Sequence, residues 1–293
     1  MTRRVLGVIG GSGLYAFEGL DGARAETVST PWGAPSAPLV RGRIAGVDIV
    51  FLARHGEGHR LPPGDINYRA NIDAMKRLGV TDLISVSACG SLREALAPGR
   101  FVIVDQFIDR TTRRETSFFG PGLVAHVSMA RPVCPALAEA LTRSAAAIGV
   151  PHTQGGTYLC IDGPQFSSLA ESNLYRALGA DVIGMTNMPE AKLAREAELP
   201  YASLAMVTDY DCWRSEEKPV EVADILDVMR ANSAAARRLL VDLAARLGPS
   251  RAPSPLGIER ILDFAIVTAP EARDPAMVEK LGAVAGRALR SGG

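Results

Sequence analysis

Two aspartates one residue apart, Asp209 and Asp211, follow an apolar segment that is typical of a buried strand. Asp is depleted in strands and is rarely buried without a partner, so the pair suggests a ligand. Residues two apart in an extended chain project to the same side, and we expect both carboxylates to face one ligand. If repulsion between the two carboxylates raises the pKa of one of them, the pair keeps a proton. The protonated carboxyl can then donate to N7 of adenine, and the ionised one can accept from the N6 amino group. The alternative is a helix cap or a solvated turn after the strand.

A second set of polar residues follows other strand-like segments, and it predicts an anion site. The set consists of Ser12 in the segment GGSGLY, then Arg54, His55, Ser87 and Thr186. Glycine lets backbone N–H groups approach an anion, hydroxyls donate hydrogen bonds, and Arg offers a charged fork. Ligands of open α/β sheets collect outside the carboxyl ends of the strands. We therefore expect these residues to bind a small tetrahedral anion there.

Three other interpretations of these motifs are weaker. The segment GGSGLYA fits a dinucleotide fingerprint, but no acidic residue ends a second strand at the expected distance. His55 and His59 have the spacing of helical zinc ligands, but the glycines between them oppose a helix. Ser12 and Ser91 lack the G-x-S-x-G turn of a serine hydrolase.

Strand-like and helical segments alternate along the chain, which predicts an α/β fold with a central mixed β-sheet flanked by helices. The predicted strands span residues 4–10, 47–53, 81–88, 101–108, 180–186 and 201–208. Helical patterns cover residues 66–79 and 189–198. We predict a single domain over residues 1–248 and a C-terminal extension with a helix over residues 249–293.

Composition narrows the classes of partner. The 293 residues contain 32 basic and 32 acidic side chains, which argues against a general surface for nucleic acid or anionic membranes. The four cysteines are scattered and give neither a zinc nor a disulfide framework. No segment approaches the roughly 20 apolar residues of a membrane helix, and we expect a soluble cytoplasmic protein.

Many long motifs in one order carry a family resemblance over residues 4–246. They include IGGSGLY, RHGEGHRLPP, NYRANI, SACGSLREAL, DQFIDRTTRRETSF, GPQFSS, MTNMPEAKLAREA and TDYDCW. Together they resemble the 5′-methylthioadenosine phosphorylases, which belong to the trimeric purine nucleoside phosphorylase class. The resemblance implies a phosphorylase fold and a reaction between a nucleoside and inorganic phosphate.

The resemblance also implies roles for individual residues. The phosphate site would contain Ser12, Arg54, His55, Ser87 and Thr186. The purine and ribose pockets would be lined by Ala88, Phe166 and Met185, and the adenine edge would be held by Asp209 and Asp211. One departure is Gln165, where relatives more often have Arg, so this chain has one positive charge fewer there.

Further positions in the resemblance concern the choice of substrate. Relatives that act on 6-oxopurines tend to have Glu at the position of Ser167 and Asn at that of Asp209, which favours a 6-aminopurine here. Val222 stands where relatives that bind a 5′-hydroxyl tend to have His. Val222, Ile225 and Leu226 have the spacing of residues on one apolar face of a helix. In this family that face would contact a methylthio group.

The implied reaction is phosphorolysis of 5′-methylthioadenosine, with possible use of 5′-deoxyadenosine. Asp209 would protonate the leaving adenine, phosphate would be a co-substrate, and no metal or organic cofactor would be needed. The resemblance further implies a homotrimer in which His126 completes a neighbour's site. The alternatives are a phosphorylase for 6-oxopurine nucleosides or methylthioinosine, a nucleosidase that uses water, and a non-catalytic nucleoside-binding protein.

Overall fold

The computed structural model describes residues 2–12, 14, 19–214 and 222–291, without the side chains of residues 222–225 and 291. Its strands are β1 Thr2–Arg3, β2 Val5–Gly10, β3 Asp21–Glu26, β4 Leu39–Ile44, β5 Val47–Ala53, β6 Asp82–Ser91, β7 Phe101–Val104, β8 Gln106–Asp109, β9 His152–Gln154, β10 Thr157–Cys160, β11 Val182–Gly184, β12 Tyr201–Asp209 and β13 Ser250–Arg251. Its helices are α1 Tyr68–Arg77, α2 Pro135–Ala147, α3 Leu169–Ala177, α4 Asn187–Glu196, α5 Val222–Leu247, α6 Pro275–Lys280 and α7 Gly286–Ser291. Short 3₁₀ turns span Glu57–His59, Pro63–Asp65, Ile258–Phe264 and Pro270–Ala272.

The main sheet is mixed, and its centre is parallel. Strand β2 pairs in parallel with β5 and with β6, and β6 pairs in parallel with β12. At the end of β6, Gly90 and Ser91 turn to pair antiparallel with β11, while Asp209 of β12 lies opposite Gly90 on the other side. The sheet therefore forks at the end of β6, and a cleft opens between β11 and β12.

The central strands form where the apolar segments predicted them. Residues 201–208 of β12 are all buried, as expected for a strand that is covered on both faces. Helix α1 buries Ala70, Ala74 and Met75 and is followed by Gly79, whose φ of 79° lies in the region that favours glycine. The predicted α/β fold with a mixed sheet is thus confirmed. Strands β3, β4, β9 and β10 are not predicted by these segments.

The C-terminal region packs on the same core as the rest of the chain. Ile258 and Leu262 in a 3₁₀ turn, with Leu281 and Val284 further on, belong to the main hydrophobic cluster. Strand β13 pairs with β1 at the other end of the chain. The division at residue 248 remains a prediction, and no separate core marks it among the described residues.

None of the described helices is long and apolar enough to span a membrane.

Candidate active site

A cavity of about 280 Å³ lies at the fork of the sheet, outside the carboxyl ends of β2, β5, β6 and β12. Eleven of the residues singled out in the sequence line it: Ser12, Arg54, His55, Ser87, Ala88, Phe166, Ser167, Met185, Thr186, Asp209 and Asp211. We call the part formed by Ser12, Arg54, His55, Ser87 and Thr186 the anion end, and the part formed by Phe166, Ser167, Asp209 and Asp211 the base end. The fold thus brings the two sets of residues to one cavity. Their individual roles remain predictions.

Arg54 follows β5 and is fully buried. Its Nε and Nη2 donate to the two carboxylate oxygens of Glu190, at 2.7 and 3.0 Å, and Nη2 also donates to Ser85. The charged fork expected to face an anion is therefore used on Glu190. Burial by itself lowers the pKa of Arg54, but the Glu190 carboxylate raises it above the ordinary value. Arg54 stays charged at the wall of the cavity.

One edge of the Arg54 guanidinium still faces the glycine-rich loop. Its Nη1 donates to the carbonyl of Val86 at 3.1 Å, which uses one of the two hydrogens on that nitrogen. A Cβ on Gly11 would lie 2.8 Å from this Nη1, so the missing side chain lets the loop lie directly against the guanidinium. The second Nη1 hydrogen is the one that this arrangement leaves for a ligand.

His55 is buried beside Arg54 and stacks on His59 with ring centroids 4.1 Å apart. Its Nδ1 lies 2.9 Å from the carbonyl of Leu61, which can only accept, so Nδ1 carries the hydrogen. Burial lowers the pKa of His55 to about 3, and the neighbouring Arg54 charge acts in the same direction. His55 is therefore neutral at neutral pH, and its Nε2 is an acceptor.

The hydroxyls of the anion end differ in their partners. Thr186 precedes α4 and is buried, but its side chain makes no capping bond to the helix. Ser87 lies within β6 and contacts the Oδ1 of Asn187 at 3.1 Å. Because an amide oxygen cannot donate, Ser87 donates this bond and its hydrogen is used inside the protein. The part of Ser87 in binding an anion remains a prediction.

The base end is built on a turn and not on an extended strand. Strand β12 ends at Asp209, and Asp211 has a left-handed φ of 53°. Asp209 accepts from the Thr208 hydroxyl at 2.6 Å and from the backbone N–H of Asp211 at 2.9 Å. The expected reason for the common orientation, alternation along a strand, was therefore wrong, because a turn brings both residues to the cavity.

Burial is the main cause of the raised pKa of both carboxyls at the base end. It raises the pKa of Asp209 above the ordinary value, and hydrogen bonds from Thr208 and Asp211 oppose it. The pKa of Asp211 is also raised by burial, and the Asp209 charge adds to the effect. The base end therefore holds a proton more readily than exposed carboxyls do.

His126 and Leu226, two of the predicted substrate-binding residues, do not line this cavity. His126 is exposed and lies elsewhere, and its backbone N–H donates to the carbonyl of Ala265. Leu226 is exposed on α5. The side chains of Val222 and Ile225 lie outside the described residues.

Sequence reasoning missed several residues that matter to the cavity. Met229 lines it from α5, and continuing the helical spacing of Ile225 and Leu226 by one turn would have found it. Gly90 also lines it, and a Cβ there would lie 3.0 Å from Asp209 Oδ2. Glu190 lies in a segment that the sequence predicts only as a helix, and no pattern in the sequence indicates that it pairs with Arg54.

Across the described residues, no group of three or more His, Cys, Asp or Glu side chains is arranged to hold a metal ion.

Comparison with known proteins defines the class to which this fold and cavity belong. Residues 5–245 match the model of the phosphorylase superfamily, and the chain belongs to this family.

Individual relatives indicate which group within this superfamily the chain is most similar to. An S-methyl-5′-thioadenosine phosphorylase of Bradyrhizobium diazoefficiens is 60% identical over 290 residues, which cover 99% of this chain and 100% of the relative. Its counterpart in Rhodospirillum rubrum is 58% identical and covers 97% of both chains. These matches confirm the resemblance drawn from the motifs, and they extend it into the C-terminal region.

Solved structures agree with this assignment. A methylthioadenosine phosphorylase from an Antarctic soil metagenomic library superposes with a TM-score of 0.90 at 45% identity, covering 96% of this chain and 99% of that one. The methylthioadenosine phosphorylase of Schistosoma mansoni in complex with adenine gives a TM-score of 0.81 at 39% identity, covering 85% and 93%.

Proposed function

We propose that this chain catalyses the phosphorolysis of 5′-methylthioadenosine to adenine and 5-methylthioribose 1-phosphate. The observation that carries the proposal is a single cavity with Arg54 at one end and the Asp209–Asp211 turn at the other. The names and the 57–60% identity of full-length relatives support the same substrate. Phosphate enters as a co-substrate.

The anion end positions the nucleophile. A phosphate oxygen attacks C1′ of the ribose while the C1′–N9 bond breaks through an oxocarbenium-like state, as in glycoside cleavage. The bond that forms joins C1′ to the phosphate oxygen, and the electron pair of the broken bond passes to the purine. The charge of Arg54 and the hydroxyls of Ser12 and Thr186 hold the phosphate in place, an advantage of approximation.

The base end makes adenine a better leaving group. The departing purine takes up negative charge, and a proton on N7 neutralises it. Asp209 is the proton donor in this proposal, because it lines the cavity and burial raises its pKa. General acid catalysis of this kind contributes about 10²–10⁴-fold. Asp211 accepts a hydrogen bond from the N6 amino group, and Phe166 lies against the purine ring.

A phosphate-dependence assay tests the proposal. Purified protein is incubated with 5′-methylthioadenosine, with and without phosphate, and adenine and the sugar product are measured by chromatography. We expect adenine release that requires phosphate and an equal amount of 5-methylthioribose 1-phosphate. Equal release in phosphate-free buffer would instead identify a nucleosidase, and binding without release would identify a nucleoside-binding protein.

We further propose that the chain is a homotrimer in which His126 covers the 5′ end of the nucleoside in a neighbouring subunit. The exposure of His126, outside its own chain's cavity, supports this arrangement. Light scattering should give about three times the chain mass for a closed cyclic assembly. His126→Ala should raise KM for methylthioadenosine and leave the KM for phosphate nearly unchanged. A fully active monomer would refute the shared site.

A further inference from the structure

A chain of buried polar contacts runs beneath the anion end and joins Ser87 to Arg54. Ser87 contacts Asn187 Oδ1 at 3.1 Å, and Asn187 Nδ2 lies 3.3 Å from the hydroxyl of Tyr201. The Tyr201 hydroxyl lies 3.1 Å from Glu190 Oε1, and Glu190 binds Arg54 with both oxygens. Asn187, Glu190 and Tyr201 are at most 1% exposed, and none of them lines the cavity.

The charge on Glu190 sets the direction of every hydrogen bond in this chain. The carboxylate paired with Arg54 can only accept, so the Tyr201 hydroxyl must donate to it. With that hydrogen used, the Tyr201 oxygen accepts, and the amide nitrogen of Asn187 must face it. The amide oxygen of Asn187 is then turned to Ser87, which has to donate. The single hydrogen of Ser87 therefore points into the protein. Its oxygen also interacts with the buried hydroxyl of Tyr158, so one lone pair is left for the cavity.

A second group at the anion end has the same polarity. The Nδ1–H of His55 is used on the carbonyl of Leu61, so the remaining ring nitrogen of the neutral side chain is an acceptor. Ser87 and His55 thus add two acceptors to a site whose donors are Arg54, Thr186 and the glycine-rich loop. A fully deprotonated oxyanion has no hydrogen to offer these acceptors.

We propose that the anion end is built for a tetrahedral oxyanion that keeps a proton, and that it discriminates hydrogen phosphate from sulfate through Ser87 and His55. Tyr201 and Asn187 act as positioning residues, because they fix the direction in which Ser87 bonds. The inference rests on the proposed function, since it assigns a chemical form to the phosphate of that reaction. Sulfate is the matched probe, because it has the same shape and the same double negative charge but no proton at neutral pH.

Isothermal titration calorimetry of the full chain with inorganic phosphate and with sulfate, in separate titrations at pH 7, tests the proposal. We expect phosphate to bind tighter than sulfate by about tenfold to hundredfold, the range for one hydrogen bond to a charged group. Equal dissociation constants would overturn the inference. The proposed function would survive that result if adenine release still requires phosphate, so the two failures are distinguishable.

Variants locate the source of the selectivity. Ser87→Ala should weaken phosphate and leave sulfate nearly unchanged, because only phosphate uses the acceptor. Tyr201→Phe removes the donor to Glu190 and leaves only Ser203 to hold the amide nitrogen of Asn187, so it should narrow the ratio of the two dissociation constants. A purely structural effect would weaken both anions alike, and that result for Tyr201→Phe would overturn its role as a positioning residue. Ser144→Ala, at a fully buried serine of α2, serves as the control and should keep the ratio.

Discussion

The anion end and the base end of the cavity are built in different ways. At the anion end, Arg54 is fully buried, and its bonds to Glu190 and Ser85 come from parts of the chain far apart in sequence. At the base end, Asp209 is only partly buried, and its two hydrogen bonds come from Thr208 and Asp211, its neighbours along the chain. One end is held by the tertiary structure and the other by a local turn.

The difference indicates that the anion end contributes more to the stability of the fold and that the base end contributes mainly to catalysis. A buried ion pair costs several kcal/mol when one partner is removed, so the anion end should be coupled to folding. A carboxyl whose pKa is raised by burial is destabilised in its charged form, so the base end should contribute chemistry at no gain in stability. Substitutions that are matched in size at the two ends should therefore affect different measurements.

The largest effect is expected at the base end and on catalysis alone. Asp209→Asn removes the proposed proton donor, and kcat/KM for methylthioadenosine should fall by about 10²–10⁴-fold. The fall should be smaller for an inosine-type nucleoside, because its O6 accepts and prefers an amide donor. The free energy of unfolding should not fall, since the variant removes a partly buried charge.

Steady-state kinetics with both nucleosides and urea unfolding test this expectation. Asp227→Asn, at an exposed position of α5, is the matched control and should change neither measurement. An equal loss for both bases would mean that Asp209 supports general chemistry or the fold and not the choice of base.

The next effect is expected at the anion end and on stability. Glu190→Gln leaves the buried Arg54 charge without its partner, and the free energy of unfolding should fall by about 3–5 kcal/mol. The KM for phosphate should also rise, because Arg54 loses the group that holds it. Glu139→Gln is the matched control, since Glu139 pairs with Arg143 on the surface and its loss should hardly change the free energy of unfolding. If the two variants were equally stable, the anion end would not depend on the tertiary structure in this way.

The smallest effect is expected in the pH dependence of stability. The folded-state pKa values of Asp209 and Asp211 are raised, chiefly by burial, above those of the unfolded chain. The stability that these groups contribute is present below the unfolded pKa and is lost as pH rises through the folded pKa. The double variant Asp209→Asn/Asp211→Asn should therefore show a weaker decline in unfolding free energy above about pH 4, where ordinary carboxyls titrate. Urea unfolding at a series of pH values measures both slopes, and parallel curves would contradict the raised pKa values.

Much of the fold and of the membership of the cavity could be predicted from the sequence. Apolar segments located the central strands, and the rule that ligands collect at carboxyl ends of strands placed Ser12, Arg54 and Ser87 near one another. The short strands β9 and β10 were missed, because three or four residues give too little periodicity to separate a strand from a loop.

The amino-acid sequence by itself determined which chemical groups meet at the cavity. Residue type and position relative to a strand end are local properties, and they were enough to select Arg54, Asp209 and Asp211. Only the tertiary structure decided how these groups are used. Glu190 takes the fork of Arg54, and Asn187 turns the Ser87 hydrogen away from the cavity, across 136 and 100 residues of sequence. Such contacts depend on how α4 packs under the sheet, and no local pattern encodes the direction of a hydrogen bond between distant residues.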